Sequence, residues 1–187
     1  GAPFSFSEPQ PLLTARTSTN APGSGVKSAM LKSTAKAIRD LLDEQRVLSL
    51  AVVVDGVPYA GLLPFVVLPA YAGVMVHASR LSKHTKGLGT GARAGVLRHE
   101  QYAPGKDALQ IKRATFECVV HPLERKSDEW IEGRGWYLQR FPDSRITFNL
   151  GDFTLYRLGF QQGLYVGGFG RAVEIEPDDL PKIATLR

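Results

Sequence analysis

Cysteine is almost absent from this chain: Cys118 stands alone, so no internal disulfide can form and no thiolate cluster can hold zinc. The histidines at 77, 84, 99 and 121 include no pair at the i, i+4 spacing of a zinc-binding helix, and no metal site is expected. No stretch approaches the ~18 consecutive apolar residues of a membrane span. The first residues also lack the charged-then-apolar layout of a secretory leader. A reducing, cytoplasmic setting with no membrane partner is the expectation. A Walker A loop and a GxSxG elbow are missing too, which removes the usual sequence marks of nucleoside triphosphate and serine-hydrolase chemistry. Two glycine patterns, Gly87-Leu88-Gly89-Thr90-Gly91-Ala92 and Gly168-Phe169-Gly170-Arg171-Ala172, superficially suit a dinucleotide. Neither lies between a parallel strand and a long helix, so neither reads as a Rossmann turn.

Strong charge bias is absent as well. The 23 Lys and Arg against 18 Asp and Glu leave a formal charge of +5, which permits anionic ligands without choosing one. The distribution is more telling. Arg80, Lys83, His84 and Lys86 crowd into one segment, whereas other basic residues are diluted by acids. A local excess of this kind suits a small anion. A nucleic-acid partner is not expected, because that needs basic residues spread along a face with aromatic stacking partners.

What the chain does contain is a series of strand-like runs with two helices inserted. Residues 1–27 are rich in Ser, Thr, Pro, Gly and Ala and read as a flexible arm. From Ser28, a possible cap, Leu31, Ala35, Ile38, Leu41 and Leu42 recur at helical spacing. Val47–Val54 is a β-branched strand. Asp55-Gly56 then turns it into a second run over Val57–Leu68, where Pro64 marks an edge, a bulge or a ligand-facing break. Further strands are expected at Val74–Ala78, Ala92–Arg98, Ala108–His121, Phe153–Leu158 and Leu164–Val166, with a helix around Trp130–Phe141 ended by Pro142. Hairpin connections throughout favour an antiparallel barrel over a doubly wound sheet. The organisation expected is an arm at 1–27, one domain at 28–176 and a tail at 177–187.

Two segments carry chemistry. Over Ser79–Lys86, hydroxyls (Ser79, Ser82, Thr85) alternate with cations (Arg80, Lys83, Lys86) at the end of a strand. That combination fits a phosphate, and it equally fits a solvated loop before a helix. Val166–Ala172 joins glycines to Phe169 and Arg171 and suits a flat anionic ligand, although alone it reads as an ordinary hairpin loop. Cys118 alternates with Phe116 and Val120 and reads as a buried thiol. Asp152, after Gly151, reads as a turn residue.

In order along the chain, Pro58-Tyr59-Ala60-Gly61-Leu62-Leu63-Pro64-Phe65, then Ser79-Arg80-Leu81-Ser82-Lys83-His84-Thr85-Lys86-Gly87-Leu88, then Gly151-Asp152-Phe153-Thr154-Leu155-Tyr156-Arg157-Leu158 with Val166–Ala172 resemble the pyridoxamine-phosphate-oxidase-like FMN-binding split barrels. The likeness is greatest to their haem-utilisation, HugZ-type branch. It implies an α+β fold dominated by antiparallel β: a six-stranded split β-barrel with flanking helices, homodimeric, with FMN in a cleft between subunits. By that likeness Leu63, Pro64 and Phe65 present backbone to the flavin ring. Ser82, Lys83, His84 and Lys86, with Ser79 nearby, wrap the phosphate. Arg113 and Phe169 with Arg171 close the site, from the same or the partner subunit. The activity implied is an FMN-dependent oxidoreductase acting on a small molecule, with no residue assigned as catalytic. Two other readings stay open: a haem-binding or haem-degrading protein, and a dimeric binding module that has lost flavin.

Overall fold

The computed structural model describes residues 30–186, so the arm expected over 1–27 and the cap at Ser28 lie outside the described residues. Helix α1 (Lys32–Asp43) buries Ala35, Ile38, Leu41 and Leu42 of the stripe its spacing predicts, while Leu31 stands at the N-cap, before the helix, and is exposed. Strands β1 (Val47–Val54) and β2 (Val57–Val67) form a hairpin in which Asp55 and Gly56 both take positive φ, 53° and 77°, as a two-residue turn matching strand twist requires. The chain continues through β3 (Gly73–Ser79), β4 (Arg93–His99), β5 (Arg113–Pro122), α2 (Asp128–Arg140), α3 (Arg145–Phe148), β6 (Phe153–Val166), β7 (Ala172–Ile175) and α4 (Leu180–Thr185).

All sheet pairings are antiparallel, in the order β3-β2-β1-β4-β5-β6-β7, and β3 also pairs with β6. The extra pairing closes β1–β6 into the expected six-stranded barrel. The β3–β6 ladder runs only from Ser79↔Phe153 to Gly73↔Gly159. Beyond it β6 leaves β3 and takes up the short β7. Residues 177–186 follow as a turn with a Glu176/Asp179 capping box and then α4, whose Leu180 and Ile183 join the barrel core. Burial of these two side chains stabilises that end by about 1.5–3 kcal/mol each.

Two boundaries differ from the sequence reading. β5 begins at Arg113 instead of 108, because the Asp107 carboxylate accepts the Leu109 N–H at 2.9 Å and nucleates a short 3-10 turn over Ala108–Gln110. The two closing strands are one 14-residue strand, β6. The Gly159–Gly163 stretch that interrupts its apolar pattern is a bulge: Cys118 faces Phe160 while Glu117 faces Gln162, leaving Gln161 as the extra residue.

Apolar residues form two cores. One fills the barrel and is capped by α1 and α4; the other lies outside β2, β3 and β6, where α2 and α3 cover Val66, Met75 and Leu155. Strand β3 is therefore buried on both faces. The outer face of β1, β2 and β4 has no such cover within the described chain. There Ala51 and Pro58 are exposed, Val53 is 58% exposed and Leu62 67%. No helix among the described residues is long and apolar enough to cross a membrane.

Candidate functional site

The polar segment that follows β3 folds into a turn fixed at both ends. Ser79 Oγ donates to Asp152 Oδ2 at 2.6 Å and accepts from the Leu81 N–H at 3.1 Å. The Arg80 N–H reaches the Asp152 carbonyl at 2.8 Å, and its guanidinium reaches the Gly151 carbonyl at 2.8 Å. Buried Thr85 donates its hydroxyl to the Ser79 carbonyl at 2.7 Å. A 3-10 turn over Lys83–Gly87 results, and it lies directly on the β1–β2 hairpin. Gly87 permits this contact: a Cβ there would fall 2.7 Å from Val52 Cβ and 2.9 Å from the Val53 carbonyl oxygen.

The same turn sets out its side chains as a small electropositive surface. Lys83 and Lys86 are exposed and Ser82 is half-buried; Lys83 Nζ sits 5.0 Å over the Tyr59 ring. His84 lies over Gly61, where a Cβ would come within 3.1 Å of its Nδ1. Burial pulls the His84 pKa below its usual value, which favours neutral imidazole, and its buried Nε2 has no hydrogen-bond partner among the described residues. A buried polar atom without a partner costs stability, so one that persists marks a place where a ligand atom fits. Two ammonium groups, a hydroxyl and a neutral ring nitrogen beside the Tyr59 ring suit a ligand with an anionic edge and an apolar body.

The other residues singled out from sequence are distributed differently. Leu63 and Phe65 point into the barrel and are buried, at 4% and 0% exposure, because they share the inward parity of β2. Of that trio only Pro64 is exposed, and its carbonyl accepts from the Tyr137 hydroxyl at 3.2 Å. Arg113, Phe169 and Arg171 stand at the far end of β6 from Ser79. Arg113 pairs with Val166, whereas Ser79 pairs with Phe153, so the two groups are ~40 Å apart along the strand at ~3.3 Å per residue. One chain does not bring them together. The Val166–Ala172 corner is the β6–β7 hairpin turn, closed by Gly167 N–H to Arg171 O at 2.8 Å and Arg171 N–H to Gly168 O at 3.1 Å, with Phe169 75% exposed.

Sequence reasoning missed Asp152, Tyr59 and Gly61 as parts of this surface. Asp152 reads as a turn residue in isolation, and only the pairing of Ser79 with Phe153 brings its carboxylate to the Ser79 hydroxyl. A signal for the uncovered outer face was present, since Val47–Val54 is apolar at every position except Ser49, more than a strand with a solvated face needs. Cys118 is fully buried with its thiol pKa pushed up to about 12 by burial, which makes it inert, as its alternation implies.

No protein-family profile matches the chain. Heme oxygenase HutZ of Vibrio cholerae serotype O1 is 32% identical over 145 residues, which is 76% of this chain and 81% of that protein. The crystal structure of HutZ, there described as the heme storage protein from Vibrio cholerae, superposes with a TM-score of 0.59 at 28% identity, covering 66% of this chain and 87% of the other. A heme binding protein from Mycobacterium smegmatis superposes with a TM-score of 0.69 at 23% identity, over 79% of this chain. The chain spans 60% of the length of that last protein, and the likeness to it is one of fold.

Proposed function

We propose that this chain, which belongs to the HutZ-type family of pyridoxamine-phosphate-oxidase-like split barrels, binds haem and holds the anionic edge of the ligand with its Ser79–Lys86 turn. The observation that carries the reading is the 32% identity to heme oxygenase HutZ across 81% of that protein. The chemistry of the turn supports it. Haem has two carboxylates on an apolar macrocycle; Lys83 and Lys86 meet the first need, and the Tyr59 ring meets the second. The unpartnered His84 Nε2 offers one further contact. Haem, when bound, supplies the oxygen and electron chemistry, and the residues of this chain bind it, orient it and keep water away. FMN, which the wider split-barrel likeness implies, ranks second. Its phosphate suits the same cations, but the two HutZ comparisons are named for heme.

The reading includes a homodimer. Exposed Ala51, Val53, Pro58 and Leu62 make an apolar sheet face of the kind that a second copy covers. A two-fold axis running across the strands sets the Arg113, Phe169 and Arg171 end of one copy beside the Ser79–Lys86 end of its partner. Both groups of residues then serve one cleft.

Titration of the full chain with haemin is the test. Saturable growth of a shifted Soret band is expected. Decay of that band with reductant and oxygen, with release of a bile pigment, separates degradation from storage. Absence of a saturable Soret shift sinks haem binding, and a flavin spectrum in the untreated protein returns FMN to first place.

A further inference from the structure

We propose that three arginines at one end of the barrel form a site for a small oxyanion, phosphate or carboxylate, separate from the Ser79–Lys86 turn. Arg98 is the inner member: it shares the inward parity of β4 with Ala94 and Val96 and is 3% exposed. Arg140, half-buried at the end of α2, and Arg46, exposed just before β1, complete the group. The guanidinium carbons of Arg98 and Arg140 lie 5.6 Å and 5.5 Å from the centre of one buried ring, Phe65. Phe65 is four residues along β2 from Gly61, the position beneath His84, which sets the cluster ~13 Å along the strand from that contact.

What the cluster lacks is negative charge. None of the three arginines forms an ion pair among the described residues. Their hydrogen bonds go to backbone carbonyls: Arg98 donates to Val47, Arg140 to Asp43 at 2.9 Å and Gln45 at 2.5 Å, and Arg46 to Arg140. The Asp43 carboxylate acts on Arg140 but already accepts from the Tyr71 hydroxyl at 2.6 Å, and no acid acts on Arg98. The Nε–H groups of Arg98 and Arg140 are both buried without a partner among the described residues. Burial and the charge of Arg140 bring the Arg98 pKa down to about 10, and burial with the charge of Arg46 lowers that of Arg140. Like charges are thus gathered in a dry setting, an arrangement that costs stability unless an anion joins it. The Phe65 ring offsets part of that cost but offers no oxygen to the two Nε–H donors. Buried donors without partners mark a place for an acceptor that the chain itself does not supply. An oxyanion brings both the charge and the acceptor atoms, and guanidinium forks match its geometry. Entry is from the side of Arg140 and Arg46, where the cluster reaches the surface.

The test titrates the full chain with inorganic phosphate and with acetate, against chloride at equal ionic strength. Saturable amide NMR shifts at Val47, Phe65 and Arg98 are expected, with a thermal midpoint that rises as the probe is added. Tighter binding of phosphate assigns a phosphate group to the ligand, and tighter binding of acetate a carboxylate. Arg98→Met, which keeps the length of the side chain and removes its charge, should weaken binding about tenfold or more. Arg140→Gln, nearer the surface, should weaken it about tenfold, and it carries the test should Arg98→Met fail to fold. Haemin affinity of the folded variants should match that of the parent chain, so this site and the haem reading can fail separately. No saturable shift with either probe overturns the proposal, as do shifts confined to Lys83–Lys86. Equal anion affinities in parent and Arg140→Gln assign the arginines a purely structural role and overturn it too. A parallel fall in haemin affinity has the same effect, since the cluster would then belong to the haem site.

Discussion

At the Phe153 end of β6 the turn over Ser79–Gly87 is tied to Gly151 and Asp152, packed against Val52 and half-buried, whereas at the Val166 end the glycine-rich corner is held by two backbone hydrogen bonds and carries its aromatic ring in solvent. Both look alike in sequence, as glycine, cation and aromatic or hydroxyl residues after a strand. The difference lies in what the backbone rests on. A turn seated on a sheet can hold its side chains in one arrangement before a ligand arrives, so little ordering cost remains on binding. A free hairpin tip becomes a wall only when something else covers it.

The two turns should differ most at their glycines. Gly87→Val drives its side chain into Val52 and the Val53 carbonyl, and should cost about 3 kcal/mol in chemical denaturation together with most haemin affinity. Gly170→Val has open space around it but a φ of 73°, so the expected cost is about 1–2 kcal/mol of backbone strain. Equal losses at the two positions would erase the distinction between a seated and a free turn.

A second test removes charge from the seated turn. Lys83→Ala with Lys86→Ala should weaken haemin binding about tenfold or more in a Soret titration, since each Lys supplies charge-assisted contacts, while the thermal midpoint changes little. Unchanged affinity would move the anionic edge of the ligand elsewhere.

Acid should act on the scaffold beneath that turn. His77 on β3 is 7% exposed, stacks on Phe148 at 3.8 Å, and lies 3.3 Å by its Nδ1 from the Thr147 hydroxyl. Burial, helped by the charge of Arg125, lowers its pKa to about 4 from 6.5. The folded state thus holds the neutral ring while the unfolded chain binds the proton. The stability this provides is complete above pH ~6.5 and is lost as pH falls toward 4, at no more than ~1.4 kcal/mol per pH unit. A His77→Gln variant should show a flatter stability profile across that window. An identical slope in parent and variant assigns the acid sensitivity to other groups.

Smaller effects are expected at Ser79 and Phe169. Ser79→Ala strands the Asp152 carboxylate without its 2.6 Å donor and should cost about 1 kcal/mol. Phe169→Ala, at an exposed tip, should change monomer stability by no more than ~0.5 kcal/mol. A larger loss that depends on protein concentration would place that tip inside a dimer.

Much of the fold was legible because its signals are local. The β-branched content of Val47–Val54, the Asp55-Gly56 turn and the helical spacing from Ala35 to Leu42 each have one physical solution, and the structure adopts it. The bulge at Gln161 was not legible, because Gly159 and Gly163 look the same in sequence whether they end a strand or kink one. At the site, the cations of Ser79–Lys86 were visible by composition. That Leu63 and Phe65 turn inward depends on parity within β2, which Pro64 obscured. The link between Ser79 and Asp152 joins residues 73 positions apart, and no periodicity reports that.

The closing ladder between β3 and β6 has a consequence for how the molecule forms. Residues 73–79 can complete their pairing only with 153–159, and β5 likewise waits for β6. Closure must therefore bring together segments far apart in sequence, a non-local step of the kind that slows folding. During synthesis β3 and β5 remain as open edges until β6 has left the ribosome, and in that interval they are the surfaces most prone to wrong pairing. Damage to β6 would accordingly be felt first as poor yield of folded chain, before any defect in a ligand site could be measured.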